Sequence, residues 1–574
     1  MCGIAGIIGD FKNYDFHKML WCQDHRGPDA TQVFQDKDLA VLGHNRLAII
    51  DLSIEANQPF TDESGRYVIV FNGEIYNYIE LKSELTSAYN FKTKSDTEVL
   101  LAAYIVYGKE CLHRLNGMFA FAIWDLQKRH LFAARDRFGV KPFFYTHPKG
   151  TFLFSSEIKA LHNSGIRKKP NQKAWINYFC YGSYGMTNET FWEDINQLPA
   201  GHYLEYNGDT ISIIKWYDFV VAVKNQPLVE DYNQAKEHYK SLLVESIKLR
   251  FRSDVPIGIN ISGGLDSSAL LAFVNVYSSN ASSIEAFTFY TGNSYYDELP
   301  WVKEMIKHYP NPLNKVLLSS VEVPDLIEKI SDHQDEPFGG IPTLAYAKLF
   351  ERASKKGIKV LLDGQGMDEQ LAGYDYYTAE VKSTIQGVSK SPFRPEILKE
   401  HLLNYTKKVV YPTPFDNVVQ NLQYRDLFYT KIPRALRFND RISMAFSTEL
   451  REPFLDYKMV EFAFSLPLEY KVDKNQSKKI LRDILKDYVP DTLAYAPKRP
   501  LQTPQREWLG HELKAYVEAH LCQIKSGQYK DWFCADAIDK VWNDYCNGDN
   551  ESSFHIWQLV NFSILMNPKE AYID

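Results

Sequence analysis

The chain has 574 residues, 45% hydrophobic and 24% charged, with 65 basic and 72 acidic side chains for a formal net charge of −7. Such a length favours two to four domains, and the composition is that of globular proteins, not of disordered or collagen-like chains. The acidic balance excludes a global attraction to nucleic acid or anionic lipid.

The chain opens "MCGIAGIIGD", which places Cys2 directly behind the initiator methionine. A cysteine there is a packing residue, a lipid attachment point, or a nucleophile uncovered when Met1 is removed. The start has no basic n-region or long apolar h-region, and no run approaches the ~18–20 apolar residues of a membrane span. A soluble chain with no membrane insertion is therefore expected. Seven cysteines without a C-x-x-C pair argue against disulfides or zinc and for a reducing cytoplasm.

Along the first ~200 residues, "YVIVFNGEIYN", "MFAFAIWD", "HLFAARD" and "TFLFSSE" read as strands, and "TEVLLAAYIVYGKECLHRL" has helical spacing. This half is α+β. The strand-rich pattern fades between about 208 and 232, where "DYNQAKEHYKSLLVESIKLRF" begins an amphipathic helix. Domains over 1–207 and 228–574 are expected. Two strand-loop-helix units follow, "VPIGINISGGLDSSALLAFV" and "GIKVLLDGQGMDEQLAGY", which predict a parallel α/β sheet with ligands beyond the carboxyl ends of its strands. From about residue 375 the pattern is mostly helical.

In "SGGLDSS", Gly263 and Gly264 let a backbone approach a ligand, Ser262, Ser267 and Ser268 offer hydroxyls, and the following helix start offers N–H groups to an anion. This is a phosphate cradle without the G-K-[ST] ending of the Walker A loop. Asp266 suits Mg²⁺ held against a polyphosphate, and Asp368 with Glu369, behind the second strand, can meet it across the same sheet edge.

"SGGLDSS" resembles the pyrophosphate loop of N-type ATP pyrophosphatases. Taken with "MCGIAGI", "RGPD", "NGEIYN", "RDRFGVKPFFY" and "REPFLD", the chain resembles glutamine-hydrolysing asparagine synthetases over nearly its whole length. The resemblance implies an N-terminal Ntn-hydrolase-type αββα sandwich, followed by an ATP-pyrophosphatase domain with a helical C-terminal part. It also implies that Cys2, exposed by loss of Met1, attacks the side-chain amide of glutamine. A free α-amine, with a pKa of roughly 7.7–8.0, can take the thiol proton.

By the same resemblance the Asn72 side chain and Gly73 N–H form the oxyanion hole, although N-G alone reads as a hairpin turn. Arg46 clamps the glutamine α-carboxylate, Leu47, Ala48, Ile49 and Ile50 line the pocket, and Asp96 with Glu74 takes the α-ammonium. Freed ammonia passes internally to a carboxylate adenylated by ATP. Asn260, Phe289, Asp363 and Gly364 surround the adenosine, Asp266 and Asp368 hold Mg²⁺, and Lys498 lies near the phosphates. Family members are often homodimers.

The second loop departs from the family's S-G-E-G-x-D-E. Gln365 stands where a glutamate is usual, Asp363 replaces serine, and Glu452 replaces valine. An amide neither carries charge nor acts as a base, so Gln365 bears on acceptor choice. Three readings follow: amidation of aspartate, amidation of another carboxylate such as a sugar uronic acid of surface polysaccharides, and a non-catalytic scaffold. The intact Cys2, Arg46, Asn72, Asp96, Asp266 and Asp368 speak against the scaffold.

Overall fold

The computed structural model describes residues 2–148, 150–186, 188–277, 283–377, 392–473, 476–496, 502–549 and 552–567. Two antiparallel six-stranded sheets form the first half. One runs Asn196–Gln197, Phe144–Thr146, Phe152–Ser155, Gly3–Ile8, Ala40–Arg46, Ala30–Asp36 in spatial order. The other runs Ile211–Lys215, His202–Tyr206, His130–Arg135, Gly117–Asp125, Tyr67–Ile75, Phe60–Thr61.

Alternation places Ile4, Ile8, Val68, Val70, Ala120 and Phe154 between the sheets. The opposite faces carry Ala5 and Ile7 onto helices Phe16–Trp21 and Ile158–Asn163, and Ile69 and Phe71 onto Asp96–Tyr107. With both faces covered, Gly3–Ile8 is buried at every position, which is why its sequence is apolar without a polar alternate. The layers are the αββα sandwich that the resemblance implied.

The helix read from "TEVLLAAYIVYGKECLHRL" begins where Ser95 accepts from Thr97 N–H and stops at Gly108, whose φ of 58° breaks the ladder. A 3₁₀ turn and a short helix, Cys111–Arg114, complete the segment.

The second half holds a five-stranded parallel sheet ordered Leu313–Leu317, Glu285–Tyr290, Ile257–Asn260, Val360–Leu362, Glu449–Arg451. The chain moves outward one way from Ile257–Asn260 and then returns to build the other side. The switch point thus falls between Ile257–Asn260 and Val360–Leu362, where such sheets bind ligands. "SGGLDSS" and "DGQGMDE" leave the carboxyl ends of these two strands.

The halves interlock. Leu47, Ile49 and Ile50 pack on Val360 and Met444, Asp51 N–H donates to Asp254 Oδ2 at 2.8 Å, and Asp254 N–H returns a bond to Ile49 O at 2.9 Å. Fully buried Arg26 bridges Glu157 at 2.8 Å and Asp440 at 3.0 Å; removing one member of such a network typically costs about 3–5 kcal/mol. The helix Gln172–Tyr181 packs among the C-terminal helices, with Trp175 and Phe562 edge to face at 4.9 Å. Among the described residues no helix is long and apolar enough to cross a membrane.

Candidate active sites

The first site is built where the two antiparallel sheets meet the second half of the chain. Cys2 is buried, its N–H donates to Asn72 Oδ1 at 3.0 Å, and its Sγ lies 4.0 Å from Leu47 O. Its carbonyl accepts from Arg26 Nε at 3.1 Å. Burial pushes the thiol above its ordinary pKa, so a nearby base is needed to produce the thiolate. Asn72 is also buried and its Nδ2 has no hydrogen-bond partner. An orphaned buried amide donor is costly unless a ligand uses it.

Asn72 and Gly73 lie inside strand Tyr67–Ile75, opposite Ala120 and Phe119, and not at a hairpin turn. The reason is visible at Gly73. Its φ is 153°, and a Cβ there would sit 2.1 Å from Met118 O, so glycine serves close strand contact instead of a turn.

Asp96 Oδ2 accepts from Ile75 N–H at 2.9 Å. Burial raises its pKa to about 7 against that bond, helped by the charge of Glu449. Glu74 is buried, its Oε2 unpartnered and its Oε1 3.5 Å from Arg451 Nη2; burial, then Glu449, pushes it well above the carboxylate range. Arg46 is placed differently from a free fork. Its terminal nitrogens donate to Ser53 O (2.6 Å), Asn57 Oδ1 (2.7 Å), Ile50 O (3.5 Å) and Asp51 O. It therefore fastens the loop that carries Leu47, Ile49 and Ile50, and Ala48 N–H is held by Asp29 Oδ2 at 2.7 Å.

The second site is a cleft beyond the carboxyl ends of strands Ile257–Asn260 and Val360–Leu362. Asn260, Ser262, Phe289, Tyr346, Asp363 and Glu298 are among its lining. Asn260 is buried with neither amide atom engaged. Phe289 and Tyr346 stand edge to face at 6.1 Å. The cradle is tied by its own serines: Ser267 Oγ donates to Ser262 O at 2.6 Å, Ser268 Oγ to Gly264 O at 2.9 Å, and Gly263 N–H to Glu298 Oε2 at 3.3 Å. Helix Leu265–Tyr277 begins there. Asp363 Oδ1 accepts from Gly364 N–H at 2.8 Å, and burial lifts its pKa to about 6 against that bond and one from Gln365.

Asp266 and Asp368 converge, as their loops predict, but on the ammonium of Lys478. Its Nζ is 2.7 Å from both Asp266 oxygens and 2.7 Å from Asp368 Oδ1. Burial alone would lower this lysine, yet the two carboxylates outweigh it and hold its pKa above the ordinary value. Lys478, Glu449 and Glu298 belong to no local motif, and only the fold brings them to the two sites. Glu369 lies beside this pair but is engaged by Tyr374 OH at 2.7 Å. Gln365 is half-buried in the loop that follows Asp363 and Gly364, and Lys498 lies outside the described residues.

Comparison with known proteins accords with this geometry. A glutamine amidotransferase domain matches residues 1–217 and an asparagine synthase domain matches 238–567. Asparagine synthetase [glutamine-hydrolyzing] 3 of Bacillus subtilis is 31% identical, with 87% of this chain and 86% of the relative covered. Asparagine synthetase [glutamine-hydrolyzing] 1 of the same organism is 29% identical over 98% and 96%. Amidase chry2 of Gibberella zeae is 26% identical over 95% of each chain. The chain belongs to the glutamine-hydrolysing asparagine synthetase family, whose members are ATP-dependent amide ligases.

Proposed function

We propose that this protein hydrolyses glutamine at Cys2 and transfers the ammonia to a carboxylate activated with ATP, releasing AMP and pyrophosphate, with aspartate as the acceptor. The observation that carries the reading is the pairing at Asn72. Its Oδ1 holds the Cys2 nitrogen at 3.0 Å, and its buried Nδ2 is left without a partner.

Once Met1 is removed, that nitrogen is an α-amine positioned to take the thiol proton. Sγ attacks the carboxamide carbon, and Asn72 Nδ2 with the Gly73 N–H holds the charge that develops on oxygen. The ammonium formed at the chain start then protonates the leaving nitrogen, and water releases glutamate from the thioester. Asp96 and Glu74 take the glutamine α-ammonium. For Arg46 to take the α-carboxylate, the ligand would replace one of the loop carbonyls it now holds.

In the cleft, Asn260, Phe289, Asp363 and Gly364 receive the adenosine, and the Ser262–Ser268 cradle receives the phosphates. Asp266 and Asp368 face a single cationic position, a donor set that fits Mg²⁺ completed by phosphate oxygens. Bound there, the ion would neutralise charge on the departing pyrophosphate. The setting is cytoplasmic and the assembly a homodimer in this reading.

A second reading, amidation of a different carboxylate such as a sugar uronic acid, is favoured by Gln365. Pyrophosphate release from ATP and glutamine, measured across aspartate, other amino-acid carboxylates and uronic acids, tests both. Release that depends on a uronic acid and not on aspartate overturns the first reading.

A further inference from the structure

The strand Glu449–Arg451 touches both sites. From its last residue, Arg451 Nε donates back to Glu449 Oε1 at 2.6 Å while Arg451 Nη2 lies 3.5 Å from Glu74 of the first site. Just past its end, Glu452 lies beside Asp363, whose N–H donates to Arg451 O at 3.0 Å. At about 3.3 Å per residue, the three steps from 449 to 452 carry the chain roughly 10 Å from one site toward the other. Lys141, from the first half, reaches the same strand, with Nζ 3.5 Å from Leu450 O.

Glu452 is 4% exposed and its Oε2 has no hydrogen-bond partner. An uncompensated buried carboxyl is expensive, and no structural contact of Oε2 offsets the cost. Amide formation needs a proton acceptor at this place, because ammonia that has attacked a carbonyl carries a proton it must lose. Gln365 cannot take it. Asp363 lines the cleft, whereas Glu452 lies behind it, between Asp363 and Lys141 of the first half.

We propose that Glu452 is the base that deprotonates the attacking ammonia, an inference that rests on the amidation reading above. The nitrogen lone pair forms the C–N bond to the acyl carbon, one N–H proton passes to a Glu452 oxygen, and the acyl C–O bond breaks with AMP leaving on its electron pair. The proton stays on Glu452 until the products depart. The groups facing Glu452 are Asp363, Lys141, Arg250 and Tyr346. Burial and then Asp363 raise its pKa well above the ordinary value, against Lys141 and Arg250.

Glu452→Gln and Glu452→Val test the assignment in the full chain, with acceptor-dependent ATP–pyrophosphate exchange and amide formation from ammonium chloride measured on the same preparations. Exchange should stay within about threefold of wild type while amide formation falls about 10²-fold and the acid limb of its pH profile disappears. Amide formation that stays near the wild-type rate overturns the proposal, and so does an exchange rate that falls in parallel. Wild-type protein that shows no acceptor-dependent exchange with any carboxylate overturns the amidation reading along with it, so the two failures are told apart.

Discussion

The glutamine pocket and the nucleotide cleft solve opposite problems. In the pocket, strands supply the chemistry: Asn72, Gly73 and Cys2 are placed by antiparallel register, and Asn72 Nδ2 and Glu74 Oε2 wait in a buried setting. In the cleft, loops beyond a parallel sheet carry the candidate groups, and a protein cation, Lys478, sits between the carboxylates Asp266 and Asp368. On the reading proposed above, a strand-built pocket would be organised before its small ligand arrives, whereas a loop-built cleft would exchange its ionic pairing for a large, charged one.

The sharpest break of that comparison is Cys2→Ala, which should lower glutamine-dependent amidation by at least ~10³-fold and leave ammonia-dependent amidation intact; glutamate and amide assayed in parallel check it. Asn72→Ala should cost ~10²–10³ in glutaminase kcat with the same sparing of the ammonia reaction. Lys478→Met should do the reverse, lowering acceptor-dependent pyrophosphate release about 10²-fold from either nitrogen source while glutamate production persists.

A smaller effect comes from pH. With Asp96 raised to about 7 by burial, the folded state binds a proton that the unfolded chain releases near pH 4. This group therefore makes stability fall as pH climbs from about 4 to 7 and adds no further change above. If Asp96 takes the glutamine α-ammonium as proposed, it must be ionised to do so, so glutamine KM should rise about tenfold per pH unit below 7, and Asp96→Asn should flatten that limb. The least effect is expected at the partly exposed Lys359–Asp29 bridge of 2.8 Å. Lys359→Ala should change unfolding free energy by less than about 1 kcal/mol, read by denaturant melts.

The layers were legible because burial leaves apolar runs bounded by turn signals. "YVIVFNGEI" and "MFAFAIWD" are such runs and form strands, and "SGGLDSS" names its own turn chemistry. Lys478 was not legible: it meets Asp266 across 212 residues, and no local pattern encodes a contact of that separation. Arg46 shows a subtler limit. Its motif marks the pocket, yet only the folded loop shows the guanidinium held by Ser53 O, Ile50 O and Asn57 Oδ1. Asn72-Gly73 misleads alone, since a turn dipeptide and a strand pressed against Met118 O both call for glycine.

The packing of Gln172–Tyr181 against Phe554–Met566, where Gln558 also donates to Tyr178 O, has a consequence for genetic dissection. A division of the coding sequence near residue 225 would strand aromatic faces on both fragments: Trp175 and Phe179 on one, Phe533 and Phe562 on the other. The fragments would need each other as co-expressed halves, so assigning one activity to each calls for point substitutions in the whole chain and not for scissors.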